Sequence, residues 1–361
     1  MVKSGYFFGF STWKHPFMSP FFSEEIEVHF INPFFKRGYL KKALAKGLNS
    51  ESTIYIWGKK PFFEVEVFAK NKGIEICRIE DGFVRSVGLG SDLTQPYSLV
   101  VDTTGIYFDP TQESDLEHLL NSYNFSNDEL RRAKNLRQYL LKKKLSKYNN
   151  YENQLLSFPK DKKIVLVPGQ VEDDASIKFG APGMSNLKLL EEARKNAPGA
   201  YLVFKPHPDV LVGNRVGQVS EVDALQYADE VVTEVSLDSV LSHCDEVHTM
   251  TSLVGFEALI RGLKVYTYGL PFYAGWGLSV DKEFCERRQR VLSIDALTAG
   301  TLLLYPRYIN PETLKICEVE VTLEGLQKEK EKLAASFVYR VTLKVRNYIS
   351  RKLQQIVRLF G

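Results

Sequence analysis

From residue 27 the chain alternates two kinds of pattern. Short apolar runs, too brief for helices, are separated by stretches whose apolar positions recur every three to four residues. The runs "EVHFIN" (27–32), "STIYIWG" (52–58) and "IEICRIEDG" (74–82) read as strands. Between them, "RGYLKKALAKGLN" (37–49) and "PFFEVEVFAKNKG" (61–73) read as helices. Strands and helices joined by short connections predict βαβ units on a parallel sheet. "YSLVVDTTGIYFDP" (97–110) departs from this, because Asp102 to Gly105 is turn chemistry between two β-rich runs and predicts a hairpin. A charged helix follows at 126–148, with Ser126 and Glu129 spaced as a capping box and a Lys and Arg excess that reads as a solvated face. The polar stretch 149–163, with Pro159, is expected as a linker. The pattern then restarts, with strands at 163–169, 200–208, 246–250 and 264–269 and helices at 185–199, 237–245 and 251–262. Two doubly wound α/β domains are expected, 1–155 and 160–320, with a ligand cleft at the carboxyl ends of both sheets.

The last stretch, 325–361, carries a different signal. Val338, Val341, Val345, Ile349, Leu353, Ile356 and Phe360 form one apolar stripe at helical spacing, and Arg340, Lys344, Arg346, Arg351, Lys352 and Arg358 surround it with positive charge. A basic amphipathic helix is expected, either packing back across the domains or lying on anionic lipid.

Composition narrows the class. The chain has 361 residues, 44% hydrophobic and 25% charged, which is ordinary for a globular protein of two domains. A net charge of +3 is too small to imply a nucleic-acid binder. No run reaches the roughly 18 apolar residues of a membrane span, and the aromatic N-terminus "MVKSGYFFGFSTWKHPF" has no signal-peptide pattern. Cys77, Cys244, Cys285 and Cys317 make no CxxC pair, so neither zinc nor a disulfide framework is indicated. Cys77 and Cys244 read as buried thiols, which fits a reducing cytoplasm.

Four clusters of chemical groups fall at strand carboxyl ends or helix N-termini. Glu80, Asp81 and Gly82, with Arg85, end the third strand; one acid facing the cleft could serve as an acid or base, though a capped strand end with exposed acids has the same look. "PGQVEDDAS" (168–176) offers Gln170, Glu172, Asp173, Asp174 and Ser176, which would suit magnesium or simply form an exposed acidic turn. "FKPHP" (204–208) presents His207 between two prolines, a rigid donor suited to a phosphate. "MTSLVGFEAL" (250–259) offers Thr251 or Ser252 as an N-cap, Gly255 for close approach and a helix N-terminus for phosphate, with Glu257 in reach of ribose hydroxyls. No GxGxxG follows the first strand and there is no Walker loop, which disfavours a dehydrogenase or an ATPase. Together the clusters outline a nucleotide-sugar glycosyltransferase.

At this point whole motifs are recognisable. Residues 79–120, "PGQVEDDASIKFG" (168–180), "KPHPD" (205–209) and "TSLVGFEALIRGLKVYTYGLPFYAGWGL" (251–278) closely resemble the KpsC-type capsule polysaccharide family of β-Kdo glycosyltransferases, and "GFSTWKHPF" (9–17) resembles the start of one module of that family. Larger members carry two modules in tandem, and this length fits one. The resemblance implies a GT-B fold of two Rossmann-like domains and transfer from CMP-β-Kdo to a Kdo-terminated, lipid-linked acceptor at the inner face of the inner membrane. It implies retention by double displacement, with no metal and no cofactor. It places the nucleophile at Asp174, beside Gln170 and Ser176, and the acid/base at Asp81, or else Glu80; the sequence alone allows the two roles to be exchanged. It gives the CMP phosphate to His207 with Lys205, Thr251 and Ser252, the ribose to Glu257 and the Kdo carboxylate to Arg85. A transferase for another CMP-activated ulosonic acid and a non-catalytic capsule-assembly module are the alternatives.

Overall fold

The computed structural model describes residues 3–22, 26–33, 37–86, 94–145, 156–211, 213 and 215–335. The expected linker falls outside them as far as residue 155, and so does the basic tail from residue 336. The strands are β1 (Lys3–Phe8), β2 (Ile26–Ile31), β3 (Thr53–Trp57), β4 (Glu75–Asp81), β5 (Ser98–Asp102), β6 (Ile164–Pro168) and β7 (Tyr201–Lys205). They continue with β8 (Glu230–Val231), β9 (Glu246–Thr249), β10 (Lys264–Thr267), β11 (Val280–Asp281), β12 (Pro306–Ile309) and β13 (Ile316–Cys317). The described residues divide into two compact units, one holding the chain up to Ile106 and from Leu302 onward, the other Tyr107 to Thr301.

The first unit is built on a mixed sheet in the order β13-β12-β5-β4-β3-β1-β2. β1 to β4 run parallel, while β5, β12 and β13 add antiparallel partners. β1 lies inside this sheet, 24 residues before the pattern begins to alternate. Its side chains feed two cores: Phe7 joins Phe22, Tyr55 and Trp57 in one cluster, while Tyr6 and Phe8 join Ile31, Ile54 and Ile56 in another. A strand buried on both sides has no polar face, so "GYFF" reads only as an aromatic run. Phe7 and Phe8 are fully buried, each contributing about 1.5–3 kcal/mol.

The hairpin expected at 97–110 does not form. Its first strand is β5, but no strand follows Asp102 as far as residue 110. The turn chemistry is real: Asp102 Oδ1 accepts from the amides of Thr104 (3.1 Å) and Gly105 (2.6 Å), and Oδ2 accepts from Tyr305 Oη (2.7 Å). The carboxylate, fully buried, ends the strand there, and β5 pairs instead with β12, some two hundred residues later in sequence.

The second unit carries a fully parallel sheet, β11-β10-β9-β6-β7-β8. The chain starts in the middle at β6, builds outward through β7 and β8, then crosses to β9, β10 and β11. The helix Asn186–Asn196, capped by Ser185, buries Leu189, Leu190 and Ala193 against β6 and β7. This unit also takes the helices Asp115–Ser122 and Asn127–Lys143, which the sequence pattern grouped with the first domain. Both bury leucines, Leu116 and Leu120 in the first and Leu136 and Leu140 in the second, and ion pairs tie them in. Glu117, 4% exposed, accepts from Arg287 Nε (2.6 Å) and Arg288 Nε (3.0 Å), and Arg137 pairs with Asp295 at 3.0 Å. The capping box starts the longer helix, with Ser126 Oγ accepting from Glu129 N and Glu129 Oε2 from Ser126 N. Cys77 and Cys244 are buried. Among the described residues no helix is long and apolar enough to cross a membrane.

Candidate active site

In the second sheet the direction of winding reverses between β6 and β9, and ligands of open α/β sheets bind at the carboxyl ends flanking such a point. Three of the four sequence clusters meet there. Gln170, two residues past β6 and 6% exposed, is the centre of the arrangement. Its Oε1 accepts from Thr251 N (3.0 Å), Ser252 N (3.1 Å) and Thr249 Oγ1 (3.3 Å), and its Nε2 donates to Thr251 Oγ1 (3.0 Å). Thr251 Oγ1 in turn reaches Ser176 Oγ (3.3 Å), which donates to Asp174 Oδ1 at 2.8 Å. One polar chain therefore ties the end of β9 to the turn after β6.

Asp174 is the N-cap of the helix Ala175–Gly180, its Oδ1 also accepting from Ser176 N at 3.0 Å. Half of its side chain is exposed, and Oδ2 lies 3.9 Å from Arg215 Nη2, beyond hydrogen-bond range. One carboxylate oxygen is fixed and the other faces a guanidinium. The neighbouring acids are otherwise engaged: Asp173 pairs with Arg215 at 3.1 Å, and Glu172 Oε1 accepts from Asn186 N at 2.7 Å. Among the described residues no group of three or more His, Cys, Asp or Glu could hold a metal ion.

On β7's end, Gly169 allows the β6 turn to press on Pro206 and His207; a Cβ there would meet Pro206 Cα at 3.1 Å and His207 N at 3.2 Å. His207 Nδ1 accepts from Asp209 N (3.1 Å), so the neutral ring keeps its proton on Nε2. Lys205 is 8% exposed, with Nζ 3.5 Å from Thr233 O, and burial pushes its ammonium down to about 8.

Several expectations for 250–259 change. Ser252, not Thr251, caps the helix Leu253–Ile260. The amides of Thr251 and Ser252, expected to meet a phosphate, already donate to Gln170. Gly255 is required by packing rather than by ligand approach, since a Cβ would sit 2.1 Å from Tyr273 Oη, which donates to Ser252 O. Glu257 is 7% exposed and lies 3.8 Å from Arg261, which also pairs with Asp238 at 3.0 Å.

In the first unit, Glu80 and Asp81 end β4. Gly82 follows because a Cβ there would lie 2.3 Å from Ser98 Oγ. Arg85 is fully buried and committed within the protein: Nε pairs with Asp81 Oδ2 at 2.8 Å, Nη1 donates to Ser86 Oγ (3.0 Å) and Nη2 to Thr94 O (2.9 Å). It holds Asp81, and the role of binding a substrate carboxylate does not fit it. Lys14 Nζ lies 3.7 Å from Asp81 Oδ1 and 3.2 Å above the Trp57 ring. Burial lowers its ammonium to about 8, against the pull of Asp81 and Glu80. Lys60 Nζ donates to Gly9 O, and burial lowers it too, against Glu80. The individual roles of Lys14, Trp57 and Lys60 are not apparent from sequence periodicity; the nearest signal is the "TWKHPF" stretch, whose lysine follows a tryptophan just past β1.

Residues 52–308 match the family model described as "Capsule polysaccharide biosynthesis protein". The chain is 44% identical over 327 residues to "Capsule polysaccharide modification protein LipA" of Neisseria meningitidis serogroup B, covering 90% of this chain and 46% of LipA. It therefore spans about half the length of that relative. "Lipopolysaccharide-processing protein LpsZ" of Rhizobium meliloti is 37% identical, with 90% of this chain and 74% of LpsZ covered. Two solved structures of KpsC from Thermosulfurimonas dismutans share the fold. The one titled β-Kdo 2,7 transferase has a TM-score of 0.74 at 37% identity over 91% of this chain and 100% of its own. The one titled β-Kdo 2,4 transferase has a TM-score of 0.78 at 31% identity over 91% and 98%.

Proposed function

The chain belongs to the capsule polysaccharide biosynthesis family, and from that membership we propose that it is a retaining β-Kdo glycosyltransferase. The donor is CMP-β-Kdo and the acceptor a Kdo-terminated, lipid-linked glycan, met at the inner face of the inner membrane. The proposal carries a GT-B organisation, with donor-binding residues in the second unit and acceptor-side residues in the first. One observation supports it above the others: Asp174, at the reversal point of the second sheet, has one oxygen fixed by Ser176 and the other oriented toward Arg215.

The steps follow from these groups. Asp174 Oδ2 forms a bond to the anomeric carbon, and the bond to CMP breaks with its electron pair staying on the phosphate. His207 donates Nε2–H to a phosphate oxygen, with Lys205 close behind it and Glu257 toward the ribose. The acceptor hydroxyl then gives its proton to Asp81, or to Glu80, as its oxygen attacks the anomeric carbon and frees the Asp174 carboxylate. Two inversions leave the β configuration unchanged. Neither step calls for a metal, because a departing monophosphate is stabilised by hydrogen-bond donors.

Intact-mass spectrometry after incubation with CMP-β-Kdo tests this. A Kdo adduct is expected on the wild-type protein and on Asp81→Ala, and none on Asp174→Ala. An adduct that survives in Asp174→Ala and disappears in Asp81→Ala reverses the two roles. Product from CMP-sialic acid but not from CMP-β-Kdo changes the donor, and no turnover of either leaves a non-catalytic module.

A further inference from the structure

Lys14 is an unusual residue to bury. Its side chain is 12% exposed, one face of the ammonium rests on Trp57 and Trp13 lies 5.5 Å away. Its nearest carboxylate oxygen, at 3.7 Å, is too far for a hydrogen bond, so among the described residues the N–H donors are held by charge and by an indole face rather than by acceptors. A buried ammonium in that condition is destabilising unless something completes it. The groups that face it are Asp81, Glu80, Arg85 and Lys60. Arg85 neutralises Asp81 at 2.8 Å, and the five charges together leave one positive in excess. A net positive charge at the end of the strand that bears Glu80 and Asp81 suits an anionic sugar: the charge takes the carboxylate, while the buried Trp57 ring backs the ammonium.

We propose that Lys14 binds the carboxylate of a ulosonic-acid residue of the substrate, so that an acidic sugar is selected in the first unit by Lys14, whose ammonium Trp57 holds in place. This rests on the transferase reading above and names a subsite within it. Both donor and acceptor carry such a carboxylate. Arg85 cannot serve, since it is consumed within the protein. The lowered proton affinity of Lys14 agrees with an ammonium kept short of anionic partners, and a bound carboxylate would raise it again.

The test compares wild type, Lys14→Met, which keeps the stem over Trp57, and Lys14→Arg. Transfer from CMP-β-Kdo is measured to a Kdo methyl glycoside and to its carboxamide. Lys14→Met should raise KM for the carboxylate acceptor by about tenfold or more, the effect of losing one charged hydrogen bond, and leave the carboxamide unaffected. Lys14→Arg should recover most of the loss. If KM for CMP-β-Kdo rises instead, in hydrolysis without acceptor, the carboxylate bound is the donor's and the subsite stands. In wild type the acceptor KM should rise above pH 8, and in Lys14→Arg it should not. A fall in kcat that is equal on both acceptors, with every KM unchanged, would overturn the proposal and leave Lys14 acting only through Asp81. If wild type transfers to neither acceptor, the assigned reaction has failed rather than the subsite. Quenching of tryptophan fluorescence by the two glycosides then decides: binding of the carboxylate form that is equal in wild type and Lys14→Met sinks the proposal, and binding lost in Lys14→Met upholds it.

Discussion

Replacing Gln170 by leucine tests what organises the second unit's site. The side chain makes four hydrogen bonds: two accepted from the backbone amides of Thr251 and Ser252, one accepted from Thr249 Oγ1, and one donated to Thr251 Oγ1. Leucine fills most of the volume but pairs with nothing. Each bond contributes about 1 kcal/mol net, and a buried amide left without a partner costs about 1–3 kcal/mol. Water can reach the half-buried amides, so the lower part of that range applies, and the local loss comes to roughly 2–4 kcal/mol. Hydrogen exchange is the assay, because it reads this segment and not the whole molecule. The amides of Thr251 and Ser252 should exchange from roughly 30-fold to several hundred-fold faster in Gln170→Leu, at about 1.4 kcal/mol per decade. Gln170→Glu keeps the acceptor and forfeits only the donated bond, so its effect should stay within about tenfold. Unchanged exchange in Gln170→Leu, or equal effects of leucine and glutamate, would refute the reasoning.

Other consequences follow from the ionic and titrating groups. Glu117→Gln keeps the shape but leaves Arg288, whose side chain is 2% exposed, facing a neutral partner; the second unit should lose about 3–5 kcal/mol in urea unfolding, and a loss below about 1 kcal/mol would remove the clamp as the anchor of the helix Asp115–Ser122. His248 is fully buried, stacked on Tyr266 and bonded to Tyr268 Oη at 2.8 Å, and burial lowers its imidazole to about 4. Between pH 6.5 and 4 the unfolded chain takes up a proton there that the folded one does not, so stability should fall as pH falls through that window. His248→Phe should flatten the slope of urea midpoint against pH, and an unaltered slope would assign the acid sensitivity elsewhere.

The sequence was most informative where one face of an element is wet or a cap is written in short range. The capping box at Ser126 and Glu129 and the strands β3, β4, β6, β9 and β10 fall within a residue or two of where the pattern puts them, and β7 ends three residues early. It was silent on β1, whose two buried faces erase the period. It misled at 97–110, because β5 pairs with β4 on one side and β12 on the other, and no local pattern encodes a partner two hundred residues away. For the candidate site, the motifs fall at the ends of β4, β6, β7 and β9. They could not say that Gln170 takes up the Thr251 and Ser252 amides, that Gly255 answers to Tyr273, or that Arg85 is spent on Asp81. The first two depend on distance in space between residues apart in sequence, and so did the grouping of the helices at 115–143 with the second unit through Glu117.

The late return of the chain to the first sheet bears on synthesis. The second unit lies wholly between Tyr107 and Thr301, and can close as soon as that stretch leaves the ribosome. The first unit cannot: until Pro306–Ile309 emerges, β5 has an unpaired edge and Asp102 lacks the hydroxyl of Tyr305. An exposed edge of this kind recruits other strands. A nascent chain arrested before residue 305 is thus expected to hold a folded insert inside an aggregation-prone host. Nonsense mutations between 302 and 309 should lead to insoluble protein rather than to a soluble half, because they take away the strand that covers β5.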